Sequence, residues 1–214
     1  MSAPTKVQNR PSSQPARSTA VIRELILDAA REAFAAGGFN DTTTRQIAAQ
    51  AGVVESLIYK HFRSKVGLFD EAIVEPFDRA VGRFITEWTP RSVGPHSGEG
   101  TARDYIENMY DLLENHAELL IALMKDRRQD KPLLPLLQKL ERVAAYELGS
   151  HGWVGVDIAV LVRLQFGAVA FNAAFGESLY LPGPGRPSRD RIVAEMVSFF
   201  VHGTAHRDGN GSAP

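Results

Sequence analysis

The chain has 214 residues, of which 44% are hydrophobic, 8% aromatic and 23% charged. That is enough for one large domain or a small domain joined to a larger one, and too ordinary for whole-chain disorder or collagen-like repetition. Zero cysteines exclude disulfide scaffolds, thiolate nucleophiles and sulfur-based zinc or iron–sulfur sites. The formal net charge of -1 hides an asymmetry: residues 1–70 hold nine Lys/Arg against six Asp/Glu, the remainder fifteen against nineteen. The front part therefore suits an anionic partner.

Residues 1–20 carry Lys6, Arg10 and Arg17 without an acid, have no apolar period and lack the hydrophobic stretch of a secretion signal. They are expected to form a flexible basic arm, and the protein to be cytoplasmic. From Val21, the residues Ile22, Leu25, Ile26, Ala29, Ala33 and Phe34 recur at three- and four-residue steps, one apolar stripe on a helix that Gly37-Gly38 should end. Thr43 and Gln46 have the spacing of a capping box, which opens a short second helix to Gln50. Ala51-Gly52-Val53 makes a break, and a third short helix runs to about Phe62. Two short helices about a glycine turn are the sequence form of a helix-turn-helix. Ser64 can cap a fourth, longer helix carrying Leu68, Phe69, Ile73, Phe77, Ala80, Val81 and Phe84.

Trp88 to Gly100 reads as a Pro/Gly/Ser loop. Helices are expected at about 102–115, 117–130 and 132–148, then a loop from Gly149 to Gly155. The stretch from Val156 to Leu181 is apolar on nearly every face, so it must be covered on several sides. Arg163, Gln165 and Asn172 argue against a membrane and for burial between the body and a second copy of the chain. Ser188 caps a final helix to about His202. No run alternates as a strand would, so the fold class is all-α, with about nine helices. The expected domains are the arm (1–20), a helix-turn-helix domain (21–67), a ligand-binding and dimerisation body (68–205) and a flexible tail (206–214).

The run from Thr43 to Phe69, with its Ala51-Gly52-Val53 turn, Ile58-Tyr59-x-His61-Phe62 and Ser64-Lys65-x-x-Leu68, resembles the DNA-binding head of TetR-family transcriptional regulators. The detailed resemblance covers about residues 21–70. It implies a homodimer with a small three-helix head and a larger helical body that binds a small effector. It also implies that Thr43, Thr44, Tyr59, His61 and Lys65 meet backbone phosphates. From the residues themselves, a third helix in the major groove would bring Val54, Glu55, Ser56 and Tyr59 to base edges and phosphates. Ser56 allows close approach, Val54 can touch a thymine methyl, and Glu55 can accept from a cytosine amino group or face solvent. Arg45 can clamp guanine or phosphate, and Lys60 adds charge to the same stretch. The family usually has Ser or Thr where this chain has Val54, so the third helix lacks its customary cap. Arg10 and Arg17 could extend the contact from the arm.

In the body, Phe77, Met109, Tyr110, Leu113, Leu120, Met124, Phe166 and Phe171 could line an apolar effector pocket, and are equally what a helical core needs. Gln165 and Asn172 share one face of the penultimate helix and require partners if buried. Arg163 suits either a carboxylate across a dimer interface or an anionic ligand. Leu164, Ala168, Phe175, Val193, Val197 and Phe200 are the candidates for a four-helix dimer interface. His202 and His206 have ligand-pair spacing but lie where the last helix should fray, so no metal is expected. No P-loop, Gly-x-Ser-x-Gly or thiol is present, and neither a cofactor nor an enzyme is expected. The reading is a homodimeric regulator, a repressor released from a near-palindromic double-stranded DNA operator by an apolar or amphipathic small molecule. The alternative is a DNA-binding regulator whose body binds a protein partner or nothing.

Overall fold

The computed structural model describes residues 18–92, 98–128, 131–150 and 157–205. Residues 1–17 of the expected arm, with Arg10 and Arg17, and the expected tail with His206 lie outside them. The described residues contain helices and no strand. Ser18 accepts the Val21 amide at 3.3 Å and opens α1 (Thr19–Asp41), two residues before the expected start. The helical path of α1 breaks at Gly38 (φ 75°, ψ 175°), a conformation open essentially to glycine alone. Thr42, buried behind the break, donates its hydroxyl to the Gly38 carbonyl at 2.7 Å.

Next come α2 (Thr44–Ala51) and α3 (Glu55–Phe62). Ile26, Ala30 and Phe34 from α1, Ile47 and Ala48 from α2, and Ile58 and Phe62 from α3 meet in one buried cluster. Each large side chain there contributes about 1.5–3 kcal/mol relative to exposure, which is what holds such short helices. The expected fourth helix is continuous but not uniform. It runs as α4 (Lys65–Phe69), a widened π turn (Asp70–Val74) and α5 (Glu75–Ser92). Pro76 explains the widening: a proline ring clashes with the carbonyl four residues back and offers it no amide. The Glu75 amide reaches five residues back to the Asp70 carbonyl.

The body is completed by α6 (Gly98–Asn115), α7 (Ala117–Met124), α8 (Leu133–Ser150), α9 (Ile158–Leu179) and α10 (Arg189–Ala205). Three expected boundaries are corrected. The loop after Trp88 is shorter, because α5 persists to Ser92 and α6 starts at Gly98. The helix expected to reach residue 130 stops at Met124, where the Asp126 carboxylate takes the Arg128 amide at 3.0 Å in a side-chain-closed turn. The loop expected from Gly149 begins no earlier than residue 151, since α8 runs to Ser150. Asp157 and Ser188 cap α9 and α10, accepting the Val160 amide at 3.1 Å and the Arg191 amide at 3.3 Å.

Helix α9 packs on α6, α7 and α8, α10 packs on α6, and α7 packs on both α9 and α1. The last contact joins body to head through one unbroken core from Ile26 to Phe200. Among the described helices, α9 alone is long and apolar enough to cross a membrane. One of its faces is covered by this protomer, while Val160, Leu164 and Phe171 on the other stay exposed.

Candidate nucleic-acid interface

The capping box at α2 forms in full. The Thr43 hydroxyl accepts the Gln46 amide at 3.2 Å, and Gln46 Oε1 accepts the Thr43 amide at 2.8 Å. Gly52 ends α2 in the left-handed region (φ 65°, ψ 40°), with nothing near the place a Cβ would occupy. That turn sets α3 across α2 with Val54 as its first half-helical residue. Val54 is 65% exposed and makes no side-chain cap, as the departure from Ser or Thr implies.

Ile58 and Phe62 point into the head core, which leaves Ser56, Tyr59 and Lys60 on the open face of α3, Tyr59 at 49% exposure. Thr43 and Arg45 at the start of α2 are also exposed, whereas His61 is half-buried with its ring 6.1 Å from that of Phe62. Ser64 caps α4 by accepting the Gly67 amide at 3.0 Å, and Lys65 follows it. Its amine lies 4.4 Å from the Phe39 ring centroid and 3.5 Å from the Asn40 carbonyl. Burial lowers the Lys65 pKa below its ordinary value, and the Asp41 carboxylate partly counters this. A phosphate offered to this amine would act against the lowering.

Thr44 and Glu55 behave differently from their neighbours. The buried Thr44 hydroxyl donates to Glu55 Oε1 at 2.6 Å and lies 3.2 Å from the Tyr59 hydroxyl. Since the single Thr44 hydrogen is committed to the carboxylate, the Tyr59 O–H is the donor of the second bond. Glu55 is thus half-buried and tied across the α2–α3 hairpin, not directed freely at solvent.

Two features carried no sequence signal. Arg63, between α3 and α4, takes positive φ (65°), and the Ser64 amide bonds the Phe62 carbonyl at 2.7 Å across it, a tight and strained turn that leaves Arg63 exposed. The other is the joint between head and body. Lys125, just past α7, donates to the Ala35 and Ala36 carbonyls at 2.7 and 2.8 Å, satisfying the last turn of α1 before its break. The Arg128 guanidinium lies 4.5 and 4.7 Å from the Phe39 and Phe69 ring centroids, and pairs with the buried Asp126 at 2.9 Å and with Asp70 of the π turn at 3.7 Å. Phe34, Phe39 and Phe69 pack on one another beneath it, Phe69 edge-on to both others at 5.0 and 5.2 Å.

The expected body residues scatter. Phe77, Met109, Tyr110, Leu113, Leu120 and Phe166 are buried in the continuous core, and Met124 and Phe171 are about half exposed on its outside. Asn172 satisfies its amide within the protomer: Nδ2 donates to the Ala168 carbonyl at 3.0 Å, and Oδ1 accepts the Tyr180 hydroxyl at 2.9 Å. Tyr110 donates to the Asn172 carbonyl at 3.4 Å, and burial, aided by the Glu114 carboxylate, raises its pKa. Gln165 is half-buried. Arg163 pairs with Glu141 of α8.

Of the six interface candidates, Val193, Val197 and Phe200 are buried against this protomer's core, which corrects the expectation that they face a partner. The reason is that α10 presents its apolar stripe to α6. Leu164 is 63% exposed, Ala168 and Phe175 half-buried, and Phe199, which was not anticipated, is 72% exposed. A cavity of about 490 Å³ lies between α9 and α10, lined by Ala168, Tyr180, Arg191, Met196 and Phe199 among others.

Residues 26–72 match the family model described as bacterial regulatory proteins, tetR family. The head of the chain, residues 26–72, is thus similar to the DNA-binding region of the tetR family. It is 25% identical over 186 residues to YdgC, an uncharacterized HTH-type transcriptional regulator of Bacillus subtilis, covering 85% of this chain and 91% of that protein. It is 27% identical over 118 residues to the fatty acid metabolism regulator protein of the same organism, covering 55% of this chain and 58% of that one. The fold is shared with a TetR-like transcriptional regulator from Rhodococcus sp. RHA1 (TM-score 0.64, 21% identity, 88% of this chain and 98% of that one). It is also shared with FadR from Bacillus subtilis, solved in complex with stearoyl-CoA (TM-score 0.57, 20% identity, 84% of this chain and 98% of that one). The matched stretch spans most of α1, all of α2 and α3, and the start of the helix that follows.

Proposed function

We propose that the protein is a cytoplasmic homodimer that represses transcription from a near-palindromic operator and is released by an apolar or amphipathic small molecule. The observation that carries the DNA half is the α2–α3 hairpin. Thr43, Arg45, Tyr59 and Lys60 are exposed on it and Lys65 stands half-buried at the start of the next helix, while Ile58 and Phe62 anchor its underside. In this reading Thr43, Thr44, Tyr59, His61 and Lys65 hold phosphates and fix register, and Arg45, Val54, Glu55 and Ser56 meet base edges. Two such heads must stand about 34–36 Å apart to read successive major grooves, which requires the second copy.

The open face of α9, with Val160, Leu164 and Phe171, and the exposed Phe199 of α10 supply the apolar surface for that copy. A membrane is the poorer cover, because Arg163 is ion-paired with Glu141 and Gln165 and Asn172 sit in the same helix.

For the effector, the FadR relative's stearoyl-CoA supports a long-chain acyl thioester as the first class to test. Met109, Tyr110, Phe166 and their neighbours close the space between α6 and α9, so a chain lodged there would have to part the two helices. Helix α7 touches α9 and also reaches the head through Lys125 and Arg128. Parting α6 from α9 would therefore change the head separation, and the response is bounded by the ligand's differential affinity for the two states. The test is selection of bound genomic fragments with and without stearoyl-CoA. An inverted repeat enriched only in its absence supports the whole reading. Enrichment indifferent to long-chain acyl thioesters overturns the effector class and leaves the DNA reading standing.

A further inference from the structure

We infer that Glu55 is a specificity filter: in the free head its carboxylate holds the Thr44 hydroxyl, to which the Tyr59 hydroxyl is bonded in turn, and it releases the pair to a DNA phosphate only where a cytosine amino group receives it. This rests on the DNA-binding reading above and concerns the same surface.

The Thr44 hydroxyl has one hydrogen, and Glu55 Oε1 takes it at 2.6 Å, while the Tyr59 O–H is turned to Thr44 Oγ1 at 3.2 Å. Both hydroxyl hydrogens are thus spent inside the head, that of Thr44 on the carboxylate and that of Tyr59 on Thr44 Oγ1, in the place where a phosphate would otherwise use them. A duplex approaching this head meets a negative charge among Arg45, Lys60 and Lys65. Phosphates repel that charge, and so do the acceptor edges of guanine, of thymine O4 and of adenine N7. Adenine's amino group stands beside its N7 acceptor, so it suits a side-chain amide better than a carboxylate. Cytosine N4 has an acceptor on one side only, the O6 of its paired guanine, with the C5–H edge on the other, whereas adenine N6 stands between its own N7 and thymine O4. Cytosine N4 is the base-edge group that can take Glu55 and free Thr44 and Tyr59 together.

The filter acts against wrong sequences as much as for the right one. On random DNA the carboxylate stays near the backbone, where two unit charges at 4 Å in water repel by an amount equal to about fivefold in affinity per head. At a matching G·C pair the contact discriminates by about 5- to 150-fold.

The experiment selects preferred duplexes from a random pool with the full-length wild type, Glu55→Gln and Glu55→Ala, then measures affinity for each selected site and for a random-sequence duplex. Glu55→Gln keeps an acceptor for Thr44 and so preserves the hairpin. The expected result is a symmetric pair of cytosines in the wild-type site, a shift to adenine with Glu55→Gln and no preference there with Glu55→Ala. Random-duplex affinity should rise about fivefold per head in both variants. Replacing the selected cytosine by pyrimidin-2-one, which lacks the amino group, should weaken wild type and leave Glu55→Ala unaffected. Identical base preferences in all three proteins, with or without a rise on random DNA, overturn the filter and leave DNA binding intact. A wild type that enriches no sequence overturns both.

Discussion

The joint between head and body makes a sharp stability prediction at Gly38. Its backbone (φ 75°, ψ 175°) lies where non-glycine residues are strained by about 1–3 kcal/mol. An added Cβ would also stand 2.9 Å from Lys125 Cβ and 3.4 Å from the Lys125 carbonyl oxygen. Lys125 is the residue that caps α1 through the Ala35 and Ala36 carbonyls, so the methyl group both strains the chain and displaces the cap. Loss of exposed charged hydrogen bonds of this kind adds about 0.5–1 kcal/mol. Gly38→Ala should therefore cost roughly 2–4 kcal/mol, which for a chain of this size lowers Tm by about 4–16 °C. The control is Gly82→Ala within α5, where nothing lies within 4 Å of the new Cβ and helix propensity should gain about 0.5–1 kcal/mol. Thermal unfolding followed by circular dichroism reads both. A Gly38→Ala protein melting within a degree of the parent would refute the reasoning about the break and its cap.

Val54→Ser should supply the missing cap of α3 and stabilise the head by about 0.5–1.5 kcal/mol, read as a higher urea midpoint with unchanged slope. Arg128→Met removes the charge between Asp126 and Asp70 while keeping an apolar cover over Phe39 and Phe69, and leaves the buried Asp126 without its ion pair. It should destabilise by about 2–4 kcal/mol, more than Arg79→Ala, whose pair with Glu75 is solvent-exposed. Leu164→Asp, on the open face of α9, should yield single chains in sedimentation while preserving helical content, and should abolish operator binding with it. Lys65→Ala should weaken binding alike on all sequences and reduce the salt slope by about 1 per head.

The head was legible because its signals are local. Thr43 and Gln46 sit three apart, Gly52 interrupts two short apolar patterns, and Ser64 precedes a helical stripe; each demands one conformation whatever surrounds it. The body was legible in helix number and type, because an apolar period survives without knowledge of its neighbour. Its faces were not. Val193, Val197 and Phe200 form a stripe as suitable for a partner as for α6, and periodicity cannot say which helix arrives. The π turn was missed because Pro76 allows a kink, a break or a widened turn, and the choice depends on what holds Asp70. Lys125, Asp126 and Arg128 fall within the helix expected over 117–130. Their role depends on Phe39 and Phe69, more than fifty residues earlier in the chain, and on a carboxylate that stops α7. In the head, Glu55 opens α3 as the pattern predicts, but its bond to Thr44 depends on the crossing angle of two helices.

Hydroxyl-radical footprinting of the full-length protein on a selected fragment tests most directly whether two α2–α3 hairpins read one duplex. The account predicts two protected segments on the same face, centred about one helical turn apart, and loss of both when half a turn of DNA is inserted between them. A single protected segment, or protection indifferent to the insertion, would contradict it.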